Sequence, residues 1–208
     1  PRTQHRLPAI PSRLRAPRPA SNDPAEKQAE APRIAWRRSI AVGTVSSGRL
    51  VRGVKLPASG RHHFTWDPIL ERSPDRRWRR WGTDFVLRKL LKVIREFRRS
   101  NAEAPRVTVG DLSRPRGGDF GPRFGLPGHM SHQNGLDVDV YYPRLDRAEL
   151  WPEHPRQIDR PLAQDLVDRF VAAGAEYVFV GPATGLHGPP GIVQALTNHD
   201  DHMHVRFR

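Results

Sequence analysis

Gly128-His129-Met130-Ser131-His132-Gln133-Asn134-Gly135-Leu136-Asp137-Val138-Asp139-Val140 is the stretch on which the fold turns. Asn134-Gly135 is a tight-turn dipeptide, since both residues tolerate a positive φ. Leu136 to Tyr142 then alternates as a strand does. Side chains two apart on a strand share a face. Asp137 and Asp139 therefore point one way, while Leu136, Val138 and Val140 point the other way, into a core. His132 lies just before the turn and can fold back toward the Asp139 side.

The end of the sequence repeats the pattern in His199-Asp200-Asp201-His202-Met203-His204-Val205-Arg206-Phe207-Arg208. Met203, Val205 and Phe207 make an apolar face, which leaves His202 and His204 together on the other. If the two strands lie side by side, His132, Asp139 and His204 converge on one point. Two imidazoles and a carboxylate are a common protein set for catalytic zinc, with the fourth position open. A lone His-x-His at a chain end is ordinarily a surface feature. Two such clusters, each backed by an apolar face, point to a metal site on the face of a sheet.

Upstream, Thr83 is placed to cap a helix over 84–99, where Val86, Leu90, Val93, Ile94 and Phe97 recur at helical spacing. A second helix fits 161–173, with Pro161 near its start and Gly174 as its stop. Short apolar runs at 39–45 and 49–56, separated by Ser46-Ser47-Gly48, read as a β-hairpin or a pair of short strands. Arg61–Trp66, Val107–Gly110 and Tyr177–Val180 read as further strands. Two helices among this many strands predict an α+β fold, a mixed or antiparallel β-sheet with helices packed on it.

Residues 1–33 hold seven of the 21 prolines and almost no large apolar residues. They read as a disordered Pro/Arg-rich tail or linker, which leaves 34–208 as the folded domain. No apolar run approaches the length of a membrane span, and the first residues show no apolar signal core. The absence of Cys removes disulfides, thiolate ligands and Cys nucleophiles together. No HExxH helix, GxSxG elbow, phosphate loop or GxGxxG is present.

The charge is uneven. The first hundred residues carry 24 Lys/Arg against 8 Asp/Glu, within a total of +13. One reading is attraction to a polyanion, nucleic acid or an anionic envelope polymer; the other is solvated surface in an Arg-rich sequence. The run Arg76-Arg77-Trp78-Arg79-Arg80-Trp81 has the same ambiguity. Its Trp rings could stack on bases, or pack on the core beneath Arg stems.

The strings SHQNGLDVD and HMHVRF, with VGDLSRPRGG and RWGTDFVLRKLL upstream, resemble the penicillin-insensitive murein endopeptidase family over roughly residues 39–208. That family is grouped with D-Ala-D-Ala carboxypeptidases and dipeptidases and with the hedgehog signalling domain. The resemblance implies one zinc ion on His132, Asp139 and His204, with His202 as catalytic base or transition-state stabiliser. It also implies that His129 and His199 lie near the metal. Asp137 stands where the carboxypeptidase pattern has Ala, which favours the endopeptidase branch. No second set of metal ligands is evident near 160–170.

By the same resemblance the substrate is the peptide cross-link of bacterial peptidoglycan, and the site of action lies outside the cytoplasmic membrane. A carboxylate or oxyanion needs a cation, and Arg114 or Arg116 in the glycine-rich loop after the Val107 strand is the candidate. Rival readings are a D,D- or L,D-carboxypeptidase trimming stem peptides, and a non-catalytic zinc-containing module that binds cell wall or nucleic acid.

Overall fold

The computed structural model describes residues 33–124 and 128–208. The expected tail at 1–33 lies, but for Arg33, outside the described residues. In chain order the strands and α-helices are β1 (Ile40–Gly43), β2 (Gly48–Val51), β3 (Val54–Lys55), β4 (His63–Thr65), β5 (Trp81–Gly82), α1 (Asp84–Ser100), β6 (Val107–Val109), β7 (Asp137–Tyr141), α2 (Arg160–Ala172), β8 (Tyr177–Val180), β9 (Val193–Ala195) and β10 (His202–Arg206).

Six strands form one sheet in the order β4-β6-β7-β10-β8-β9. The outer pairs β4–β6 and β8–β9 are parallel, and the three inner pairings are antiparallel. The sheet is therefore mixed, and the α+β expectation is met. β7 and β10 are neighbours with His204 opposite Asp139 and Arg206 opposite Asp137.

Both helices cover the aliphatic face. Thr83 Oγ1 accepts from the Val86 amide at 3.2 Å and starts α1. Asp84 in the first turn and Arg98 and Arg99 in the last complement the helix dipole. Val86, Leu87, Leu90, Val93, Ile94 and Phe97 form its buried stripe. Asp159 caps α2 by accepting from the Leu162 amide, and Gly174, at φ +83°, ends it where a left-handed residue is needed. Leu162, Leu166, Val167 and Phe170 join the α1 stripe in one core with Val138, Val140, Val178, Met203, Val205 and Phe207. Each such side chain contributes about 1.5–3 kcal/mol on burial. The opposite face of β7 and β10 is left to their polar residues.

Two details differ from the sequence reading. The expected strand over 49–56 is split, because Arg52 sits in the left-handed region at φ 51° and Gly53 follows it. β2 pairs with β1, and β3 turns away to pair with β5. β9 was not expected; it adds to the sheet edge beside β8.

The Arg/Trp run is built into the fold. Trp78 packs edge-on against Phe120 at 5.6 Å and also contacts Phe124, while Arg79 and Arg80 are buried. Trp78 and Trp81 are half-buried, and the buried members of the run are the arginines Arg79 and Arg80 rather than the Trp rings that the core reading puts inside.

Candidate metal centre

Four elements meet at the polar face. β7 presents Asp137 and Asp139, and β10 presents His202 and His204. The glycine-rich loop delivers His129 and His132, and residues 110–112 form a shelf just past β6. Gly110 donates to the Asp139 carbonyl at 2.9 Å, and Asp139 donates back to the Asp111 carbonyl at 2.8 Å. A side chain at position 110 would meet the Tyr141 ring at 3.0 Å and the Asp139 Cβ at 3.2 Å, so Gly permits this approach.

His132 is fully buried and adopts φ 65°, a left-handed conformation uncommon for a residue with a side chain. Two bonds hold it there. Its amide donates to Asp137 Oδ2 at 2.9 Å, and its ring Nδ1 lies 2.6 Å from the Leu112 carbonyl. A carbonyl only accepts, so Nδ1 carries the proton and Nε2 presents a lone pair. That Nε2 lies 3.2 Å from His204 Nδ1 and 3.3 Å from Asp139 Oδ1. His204 Nδ1 and Asp139 Oδ1 are 3.0 Å apart.

Three donor atoms thus form a nearly equilateral triangle inside the protein. A lone pair facing a carboxylate oxygen is repulsive unless something positive lies close by. In the metal-free protein that positive charge is a proton on His204. Burial opposes its charged form, but Asp137 and Asp139 outweigh burial and raise its pKa to about 9. Burial pushes the His132 pKa down, and the neighbouring imidazoles oppose a second charge there. Asp139 would be raised by burial, yet His132, His204 and His202 hold it well below the usual carboxylate range. The His204 Nε2 faces Asp137 Oδ1 at 3.3 Å, so Asp137 holds the side of the ring turned away from Asp139.

His129 joins the cluster. It, His132 and Asp139 each offer a donor atom within 4.8 Å of the others, so these residues could hold a metal ion. The His129 ring stacks on Phe120 at 4.9 Å. His202 lies at the edge, with Nε2 4.0 Å from Asp139 Oδ1 and Nδ1 2.6 Å from Asp201 Oδ1. Burial lowers the His202 pKa, but the Asp201 hydrogen bond and the charges of Asp139 and Asp201 prevail and raise it. The His199 ring centre is 4.8 Å from that of His202 and 6.1 Å from that of His204.

A cleft of about 900 Å³ opens over the cluster. Its lining includes His129, Asp139, His199, His202, His204, Tyr141, Trp151 and Phe179. Arg114 and Arg116 do not line it: Arg114 donates to the Asp119 carbonyl at 2.7 Å and covers the Phe124 ring. Glycine-rich loop position alone could not show this. The partly exposed cation in the cleft wall is Arg206, bonded to Asp137 at 2.8 Å. Sequence reasoning passed over Arg206 and Asp111, and placed Asp137 on the ligand face without giving it a role at the site. Arg206 was accessible to it, because it falls on the same face of its strand as His202 and His204.

Comparison with known proteins adds the family. The family model described as penicillin-insensitive murein endopeptidase matches residues 41–175. The chain belongs to this family. The matched stretch carries Asp111, His129, His132, Asp137 and Asp139, and β10, with His202 and His204, lies beyond it. Curated relatives named penicillin-insensitive murein endopeptidase occur in Escherichia coli O1:K1 / APEC and Escherichia coli O127:H6 (strain E2348/69 / EPEC). Each is 32% identical over 128 residues, covering 62% of this chain. The aligned region is 40% of the length of those relatives.

Proposed function

We propose that this domain hydrolyses peptide bonds in the cross-links of bacterial peptidoglycan, using one zinc ion held by His132 Nε2, Asp139 Oδ1 and His204 Nδ1. The carrying observation is the triangle of these atoms, with sides of 3.0, 3.2 and 3.3 Å. Ligands about 2.0–2.1 Å from a tetrahedral zinc are about 3.3 Å from one another. Bound there, zinc supplies Lewis acidity and a nucleophile available near neutral pH.

The chain's own residues do the rest. Asp201 accepts from His202 Nδ1 and fixes the ring, leaving Nε2 to hold or pass a proton beside the scissile bond. Protonated, His202 also offers positive charge to the oxygen that becomes anionic in the transition state. Arg206 in the cleft wall is the candidate for a substrate carboxylate, the role first assigned to Arg114 or Arg116. Tyr141, Trp151 and Phe179 give the cleft apolar surface for the peptide stem.

Family membership favours a wall peptide over other substrates, and a wall substrate supports work outside the cytoplasmic membrane. Among the described residues no helix is long and apolar enough to cross a membrane. Arg88, Lys92, Arg95 and Arg99 form an exposed basic stripe on α1, suited to an anionic envelope polymer.

The deciding experiment incubates the zinc-loaded protein with purified cross-linked muropeptide dimers and, separately, with free pentapeptides. Release of monomers from the dimers is expected. Terminal trimming of the pentapeptides alone would favour the carboxypeptidase reading. Retention on sacculi without soluble products would favour a binding module.

A further inference from the structure

β7 ends on Tyr141, Tyr142 follows, and strand alternation sends the two rings to opposite faces of the sheet. Tyr142 enters the aliphatic core, where it is fully buried and its hydroxyl donates to the His199 carbonyl at 3.1 Å. Tyr141 shares the ligand face with Asp137 and Asp139, stands directly across the ladder from His202, and lines the cleft. Only 4% of it is exposed. Among the described residues its hydroxyl makes no hydrogen bond, and the oxygen is not sealed from solvent.

Aromatic rings hold Tyr141 in place. Phe64 and Trp66 join it in one small cluster, and Trp151 meets it edge-on with ring centres 6.5 Å apart. The His202 ring centre is 5.6 Å away. Gly110 makes the room, since a Cβ there would lie 3.0 Å from the Tyr141 ring. A buried tyrosine ordinarily finds a partner for its hydroxyl, because an unsatisfied polar group is costly to bury. Tyr142 has one and Tyr141 does not. With an ordinary pKa of about 10, the phenol is a donor at neutral pH.

We infer that the Tyr141 hydroxyl donates a hydrogen bond to a peptide oxygen of the bound stem, next to the bond that is cut, and so sets the register of the substrate in the cleft. A stem lying along the ligand face past the zinc triangle comes to Tyr141 at the level of His202, its cross-strand neighbour. A hydroxyl so placed favours substrates with an acceptor at that position, since an analogue lacking it leaves the phenol unpaired. The inference rests on the peptidase reading given above.

Tyr141→Phe tests it, because the change removes one oxygen and keeps the ring. Zinc affinity, thermal unfolding and cleavage of cross-linked muropeptide dimers are measured for variant and wild type. Calorimetry adds the binding of a dimer whose scissile amide is replaced by a phosphinate, which is not hydrolysed. Zinc affinity and Tm are expected to match wild type, because the hydroxyl bonds to no protein group. Both kcat/KM for the dimers and affinity for the phosphinate are expected to fall roughly 5–100-fold, the range for leaving a buried acceptor unpaired. Unchanged cleavage or unchanged phosphinate binding would overturn the inference. A lowered Tm with cleavage intact would assign the hydroxyl to the fold, and loss of zinc would assign it to the metal site; either overturns it. Wild-type protein that cleaves no dimer would sink the peptidase reading and this inference with it. Wild type that cleaves, beside a variant that cleaves equally well, would sink only the role of the hydroxyl.

Discussion

His204 stands directly across the β7–β10 ladder from Asp139, with Nδ1 3.0 Å from Oδ1. That register places one ligand on each of two neighbouring strands, on the face the helices leave open. A slip of one residue would turn the β10 histidines into the core and Met203, Val205 and Phe207 into the cleft. The apolar alternation that packs the sheet therefore also aligns the site.

Removing either member of that pair should remove the metal. Asp139→Asn and His204→Ala are expected to lower zinc affinity by more than the roughly 10–100-fold typical of supporting residues, and to abolish muropeptide cleavage. Metal content after gel filtration, alongside circular dichroism, checks this. Stoichiometric zinc in either variant would show that the triangle is not the site.

His202 should behave differently. Its Nε2 is 4.0 Å from Asp139 Oδ1 and its Nδ1 is tied to Asp201. His202→Ala is expected to keep zinc while kcat falls on the order of 10²–10⁴-fold. Turnover equal to wild type at full metal loading would take His202 out of catalysis.

Zinc affinity should depend on pH with a defined sign. The metal-free His204 pKa is raised to about 9, so below that pH an entering ion must displace its proton. Affinity should strengthen by about tenfold per pH unit toward pH 9 and then level off. The metal-free protein should show the converse. Stability from protonated His204 is full below about pH 6.5 and is lost as pH rises through about 9. Competition titrations and thermal melts between pH 6 and 10 measure both, and a flat affinity profile would contradict the assignment.

Thr83 offers a control in stability. Its side chain caps α1, and its amide donates to the Gly135 carbonyl at 3.0 Å. Thr83→Ala is expected to cost about 1 kcal/mol, lowering Tm by about 2–4 °C for a domain of this size. Zinc affinity should change little, as the cap touches none of the metal-site side chains. Calorimetry with and without zinc separates the two effects.

Much of this was legible in the residues themselves. Periodicity placed α1 and its Thr83 cap, the start and stop of α2, and the strands that became β6, β7, β8 and β10. Alternation alone put Asp137 and Asp139 on one face and His202 and His204 on one face, because side-chain direction is a local property of a strand. Partner and register are not local. Only the tertiary structure set β7 beside β10, turned His132 into a left-handed conformation against Leu112 and Asp137, and moved Arg114 onto Phe124 and away from the cleft. Sequence by itself determined which side chains could serve as ligands; packing decided which of them meet, because convergence depends on distances between segments that no local pattern encodes.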